Sequence, residues 1–196
     1  MSVLIAYKKN DIVYMGTDAK EIFYDRIDTD ACESNFKIQK MENGMLVGLI
    51  GDIPTRQILF AYPEIFTLDK KGELNRKHIV KEIIPALLSL LNEESLLDEK
   101  EDSYPKMKAD ILLAHNGVLY EITNSFMIIR YEDYQAIGSA SELVQATIDN
   151  TKPTDDVNER IVRALNVASL YHTGVGAPFV LIDTKDQQYK IVGGNN

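Results

Sequence analysis

"SVLIAYKKNDIVYMGTDA", residues 2–19, opens the chain on an apolar run. "VLIAYK" (3–8) and "IVYMGTDA" (12–19) are β-rich runs on either side of the turn-forming Lys9-Asn10-Asp11. Two such runs about a break predict a hairpin. The first strand pattern starts at Val3, with a single serine between it and Met1. First residues ordinarily fray, because ordering them gains nothing. A strand this early is expected either for packing alone or because Ser2 itself has a role.

Working outward, "KEIFYDRIDTDACESN" (20–35) reads as a loop with a short strand at 22–24. "FKIQKM" and "MLVGLIGD" then flank Glu42-Asn43-Gly44, and Asn-Gly is a strong hairpin signal. Asp52 and Pro54 suit the cap and opening turn of a helix over "TRQILFAY". A second helix is expected from about Asn75 to Asn92, with Ile79, Ile83, Leu87 and Leu91 on a wide apolar face, and Pro85 should kink or break it. "EESLLDEKEDSYPK" reads as an acidic, solvated connection. Four strands follow: "ADILLAHN", "VLYEIT", "SFMIIRY" and "YQAIG". Ser139-Ala140-Ser141-Glu142 has capping-box spacing before one helix, and Thr154-Asp155-Asp156 opens another bearing Val157, Ile161, Leu165 and Ala168. "PFVLID" and "YKIV" are the last strands. No fixed-period repeat, interdomain linker or low-complexity tract is visible, so one domain over 1–196 is expected. Strands grouped apart from paired helices favour antiparallel sheets, packed face to face and covered by helices.

With 196 residues, 45% hydrophobic and 26% charged, the chain can bury one good core. Its net charge of −9 argues against nucleic acid as the main ligand, which needs clustered Lys and Arg. The longest apolar runs are too short for a membrane span, and no signal-peptide pattern precedes the first strand. The single cysteine, Cys32, excludes an intrachain disulfide framework and fits a reducing cytoplasm. The expected localisation is therefore cytoplasmic, with no membrane and no nucleic acid as partner.

The common catalytic signatures are missing. There is no GxxxxGK[ST] loop and no GxSxG elbow, and "TGVGAPF" (173–179) lacks the strand and spacing of a dinucleotide fingerprint. His78, His115 and His172 are far apart and form no metal-ligand pair, so neither metal nor organic cofactor is expected. Cys32 reads as a loop or packing thiol rather than a nucleophile.

A serine at a chain terminus needs none of these. Its own α-amine titrates near pH 8 and can act as its base. A nearby Lys supplies a positive field, a carboxylate holds that Lys, and a Gly N–H can stabilise an oxyanion. The stretch 2–19 with "FKIQKM", "LVGLIGD" and "AIGSASELVQA" resembles the proteasome β-subunit family of N-terminal nucleophile hydrolases, including its bacterial proteasome-like members, over essentially the whole chain. The resemblance implies a four-layer αββα sandwich, an α+β fold of two antiparallel sheets flanked by helices. It places Ser2 at the family's catalytic N-terminal residue and Asp18, sixteen further on, at its aspartate. Lys37 matches the catalytic lysine that opens a strand, Gly51 the oxyanion glycine fourteen beyond it, and Gly138-Ser139-Ala140 the turn whose Ser supports the terminal amine. Leu49 and Ile53, near Gly51, are expected to line an apolar pocket, with cleavage after hydrophobic residues.

Each residue also has a plainer reading. Asp18 can cap a strand, Lys37 can be an outward strand residue, and Ser139 can belong to the capping box. Gly51 can be a tight helix start, and Ser2 only a small second residue. Three departures from the family stand out: Ser2 replaces its usual Thr, the stretch between Asp18 and Lys37 is longer, and Leu170 stands where "Asp-x-x-[Ser/Thr]-Gly" has its aspartate. Met1 must also come off, because a residue left on Ser2 blocks the amine. The leading expectation is a peptidase acting through Ser2, assembled as a ring or other homo-oligomer, with peptide as substrate and an ATPase unfoldase as candidate partner. The alternatives are a catalytically inactive assembly or binding protein of the same fold, and a small-molecule amidase using the same terminal chemistry.

Overall fold

The computed structural model describes residues 2–23, 26–28, 32–98, 104–152 and 156–193. The first six strands are β1 Val3–Lys9, β2 Ile12–Asp18, β3 Glu21–Phe23, β4 Arg26–Asp28, β5 Ile38–Lys40 and β6 Leu46–Gly51. Then come helices α1 Ile53–Ala61, α2 Arg76–His78 and α3 Ile84–Glu93. After the short β7 Leu97–Asp98 and β8 Lys106–Met107 follow β9 Ala109–His115, β10 Val118–Ile122, β11 Ile128–Tyr131 and β12 Tyr134–Gly138. Helices α4 Ser141–Asp149 and α5 Val157–Tyr171 precede β13 Phe179–Asp183 and β14 Lys190–Val192.

Two five-stranded antiparallel sheets result, in the orders β12-β1-β2-β13-β14 and β11-β10-β9-β6-β5. The opening strand explains why its apolar run is unbroken. Side chains alternate between the faces of a strand, and here both faces are covered. Val3 and Ile5 pack with Ile161, Leu165 and other residues on the α4–α5 side. Leu4 and Ala6 pack with Met15, Ile38, Leu46 and Leu112 between the sheets. A third cluster, with Val47 and Leu49 of β6 against Leu59, Ile83 and Leu87, joins the second sheet to α1 and α3. The layers are thus helix, sheet, sheet, helix, as the αββα expectation requires.

Local chemistry sets the boundaries. Asp52 caps α1, its Oδ1 accepting from Thr55 N at 3.0 Å, and Pro54 sits in the opening turn. The expected hairpin at Asn43-Gly44 is present, with Gly44 at φ +81°. Pro85 does not break its helix. It has no N–H to donate back along the turn. The preceding segment Ile79–Ile83 instead opens into a π turn in which Ile84 N–H reaches Ile79 O, and α2 runs through it into α3. Asp156 caps α5 through Glu159 N at 3.1 Å, whereas Thr154 and Asp155 lie outside the described residues. Of the strand expected at 22–24, β3 covers 21–23 and Tyr24 lies outside them. Among the described residues, no helix is long and apolar enough to cross a membrane.

The capping-box expectation at Ser139 is corrected. Helix α4 starts at Ser141 with Ala140 in the cap position and no side-chain cap. Ser139 is turned instead toward the start of β1.

Arg160 pins the helical layer to β1. It is 4% exposed, and it donates to Thr151 Oγ1 at 2.7 Å, Ile148 O at 3.0 Å and Tyr7 Oη at 2.6 Å. Its guanidinium also lies 4.6 Å from the Tyr7 ring centre. Removing the donors strands buried acceptors, so Arg160→Met is expected to lower stability in urea unfolding by about 2–3 kcal/mol. Tyr7→Phe, which keeps the ring, should cost less.

Candidate active site

Three chain segments meet at the start of β1. The first is the end of β2, whose Asp18 lies one position beyond Thr17, the partner of Leu4 in the hairpin register. The Asp18 carboxylate, fully buried, uses both oxygens: Oδ1 accepts from Val3 N at 2.9 Å and Oδ2 from Lys37 Nζ at 3.0 Å. Thr17 Oγ1 donates to Val3 O at 2.8 Å. Both polar groups of the residue after Ser2 are therefore held by side chains from the returning strand. This is why β1 can be ordered from Val3 onward.

The second segment leads into β5. Lys37 precedes Ile38, which faces the inter-sheet core, and the Lys37 side chain is 1% exposed. Its ammonium donates to Asp18 Oδ2, to Asp18 O at 2.6 Å and to Lys20 O at 2.9 Å. An ammonium has three donors, and these three acceptors use all of them. Burial pushes the Lys37 ammonium below the ordinary lysine range, against the Asp18 carboxylate that holds it up. Burial likewise pushes the Asp18 carboxyl up, against Lys37 and the Val3 N–H.

The third segment is the β12–α4 turn. Val3 lies opposite Gly138, and Ser139 donates to Ser2 O from its N–H at 3.0 Å and from Oγ at 3.3 Å. Gly138 has φ +102°, and a Cβ there would stand 2.3 Å from Ser2 O. No side chain fits without moving the Ser2 carbonyl. Gly138→Ala is expected to cost at least about 2 kcal/mol in thermal unfolding, and to reduce any activity that depends on the position of Ser2.

Gly51 is exposed at the end of β6, opposite Ala109. A Cβ on it would meet Lys108 O at 2.1 Å. Ile50, just before it, packs against Gly138, with Cγ2 3.1 Å from where a Cβ would be. The end of β6 therefore reaches the turn that holds Ser2. Of the two residues expected to line a pocket, Leu49 is fully buried in the core facing α1 and α3, while Ile53 is half-buried at the start of α1. Met1 lies outside the described residues.

Four participants carry no motif in the sequence. Thr17 grips Val3. Lys20 supplies an acceptor to Lys37, and its own Nζ donates to Thr173 O at 2.7 Å, tying in the loop after α5. Arg56 of α1 pairs with Glu21 of β3, both nearly buried, and both charges are felt at Lys37. Alternation along β2 could have flagged Thr17, a polar residue inside an apolar strand. The others depend on contacts that only folding makes. Leu170 is 78% exposed near the end of α5.

By sequence, no protein-family model and no curated protein matches the chain. By structure, it is similar to BPH of Thiobacillus denitrificans, at 17% identity and TM-score 0.76, covering 92% of this chain and 96% of that one. It is also similar to Anbu (ancestral beta-subunit) from Yersinia bercovieri, at 16% identity and TM-score 0.67, covering 97% and 86%. HslV from Trypanosoma brucei superposes at 12% identity and TM-score 0.64, covering 92% and 98%. All three are proteasome-like proteins. With two antiparallel sheets between helical layers and these neighbours in common, the chain has the fold of the proteasome-like N-terminal nucleophile hydrolases.

Proposed function

We propose that the chain is an N-terminal nucleophile peptidase, in which Ser2 attacks a peptide carbonyl after Met1 is removed. The observation that carries this reading is the buried Asp18–Lys37 pair, whose carboxylate also holds the backbone N–H next to Ser2. An ion pair with so little access to water costs desolvation and is weak evidence for stability alone. Its position one residue from a potential nucleophile gives it a use.

In this reading the Ser2 α-amine takes the hydroxyl proton as Oγ bonds to the carbonyl carbon. The Gly51 N–H stabilises the oxyanion, and the Lys37 charge favours the developing negative oxygen. The amine returns its proton to the leaving nitrogen as the peptide bond breaks. Water, activated by the same amine, then releases the acyl group. Asp18 orients Lys37, and Ser139 holds the Ser2 carbonyl so that the amine faces the site. Self-association is part of the proposal, and exposed Leu170 and Tyr171 on α5 with Ile191 on the edge strand β14 supply apolar surface for it.

A solved structure of the Thiobacillus denitrificans protein is a complex with epoxomicin, which makes that compound the natural probe. Untagged protein is expected to lose Met1 by intact mass and to gain the mass of one epoxomicin on Ser2. Retention of Met1 with no adduct would sink the proposal. It would favour the second reading, a silent assembly protein, which the exposed Leu170 at the position of the family's aspartate supports.

A further inference from the structure

A recess of about 230 Å3 is lined by Asn35, Gln39, Arg56, Gln57, Phe60 and Ala61, and the Arg56 charge is felt at Lys37. The elements that carry the site also wall it. Gln39 is two residues beyond Lys37 on β5, and α1, which bears Arg56 to Ala61, starts two residues after Gly51. Pockets for drug-sized ligands run from about 300 to 1,000 Å3. A space below that range suits one amino-acid side chain.

The chemistry of the lining is polar where the sequence suggested an apolar pocket. Asn35 and Gln57 are exposed and Gln39 is half-buried. Among the described residues their three carboxamides make no hydrogen bond and are open to a guest. Among the described residues, the Arg56 guanidinium is the one charge on the wall, and Glu21 already matches it. Phe60 and Ala61 provide a small apolar surface for methylene groups. An aliphatic guest would strip water from the carboxamides and return nothing, whereas an amide guest can both donate to and accept from them. A carboxylate guest would bring a second acid beside Glu21.

We infer that this recess receives the side chain on the acyl side of the scissile bond and selects a neutral amide, glutamine or asparagine, over an aliphatic residue. The inference rests on the reading of Ser2 as nucleophile. Sites that hydrogen-bond a polar group reject the analogue lacking it more strongly than apolar pockets reject an extra methylene. One or two such bonds to these carboxamides correspond to about tenfold discrimination.

The test compares matched peptides that carry glutamine, norleucine or glutamate at that position. With Met1-free protein, kcat/KM for glutamine is expected to exceed that for norleucine by about tenfold, with glutamate also disfavoured. In Gln39→Leu/Gln57→Leu the order of glutamine and norleucine should reverse. Equal or better turnover of norleucine by the unmodified protein overturns the inference and leaves Ser2 as nucleophile intact. Binding of the same peptides to Ser2→Ala by calorimetry reads the recess without chemistry. Glutamine-selective binding together with no turnover would overturn the catalytic reading alone. Equal affinities would overturn the recess assignment whatever the activity.

Discussion

Lys37→Met should lower the stability of the folded protein by about 3–5 kcal/mol. The side chains of Lys37 and Asp18 are 1% and 0% exposed, so removing the ammonium leaves a carboxylate sealed from water with only the Val3 N–H against it. The Asp18 and Lys20 carbonyls lose their donor as well. For a domain of this length, each kcal/mol moves Tm by about 2–4 °C, which puts the fall at about 6–20 °C. Asp18→Asn should do similar damage by stranding the ammonium. The double variant Asp18→Asn/Lys37→Met removes both charges and should cost clearly less than the sum of the singles, by a coupling readable in a double-mutant cycle. Additive losses would mean that the two groups do not act as a pair.

The pair also sets a dependence on pH. The folded pKa of Lys37 lies below its unfolded value, so between the two the unfolded chain binds more protons and stability rises with pH. The folded pKa of Asp18 lies above its unfolded value, so in that acid window the folded protein binds more protons and stability falls as pH rises. Neither slope should remain in the double variant.

The second large effect is on chemistry. Ser2→Ala is expected to abolish epoxomicin labelling and to lower peptide hydrolysis by about 10³-fold or more, since a nucleophile has no substitute within its unit. Folding should change little, because Ser2 is only half-buried and the backbone bonds from Ser139 remain possible. Labelling of the unmodified protein should rise with pH as the α-amine loses its proton, levelling above about pH 8. A flat profile across that range would count against the amine as base. Labelling that survives Ser2→Ala would place the nucleophile elsewhere.

Much of the fold is legible in the chain as a line of residues. Alternation and turn chemistry locate the main strands of both sheets, because every strand that is buried on one or both faces must write that burial into its pattern. Capping residues do the same for helix starts at Asp52 and Asp156. Pro85 shows the limit. It reads as a kink or a break, yet the helix runs on through a π turn whose apolar face is buried against the second sheet. Ser139 shows another, since its spacing fits a capping box while its hydroxyl goes to a carbonyl 137 positions away.

The layered α+β fold can be read from the residues in order, and Ser2, Asp18 and Lys37 stand out as candidates there, because strand periodicity and short motifs are local properties. Tertiary structure alone decided what those residues touch. It joined Asp18 at once to Val3 and Lys37, satisfied the Lys37 ammonium with Lys20 O, and set Arg56 against Glu21. It also turned Leu49 into the core and left carboxamides around the recess. The physical reason is that burial and charge pairing depend on which distant segments the sheets bring together, and no spacing along the chain records that.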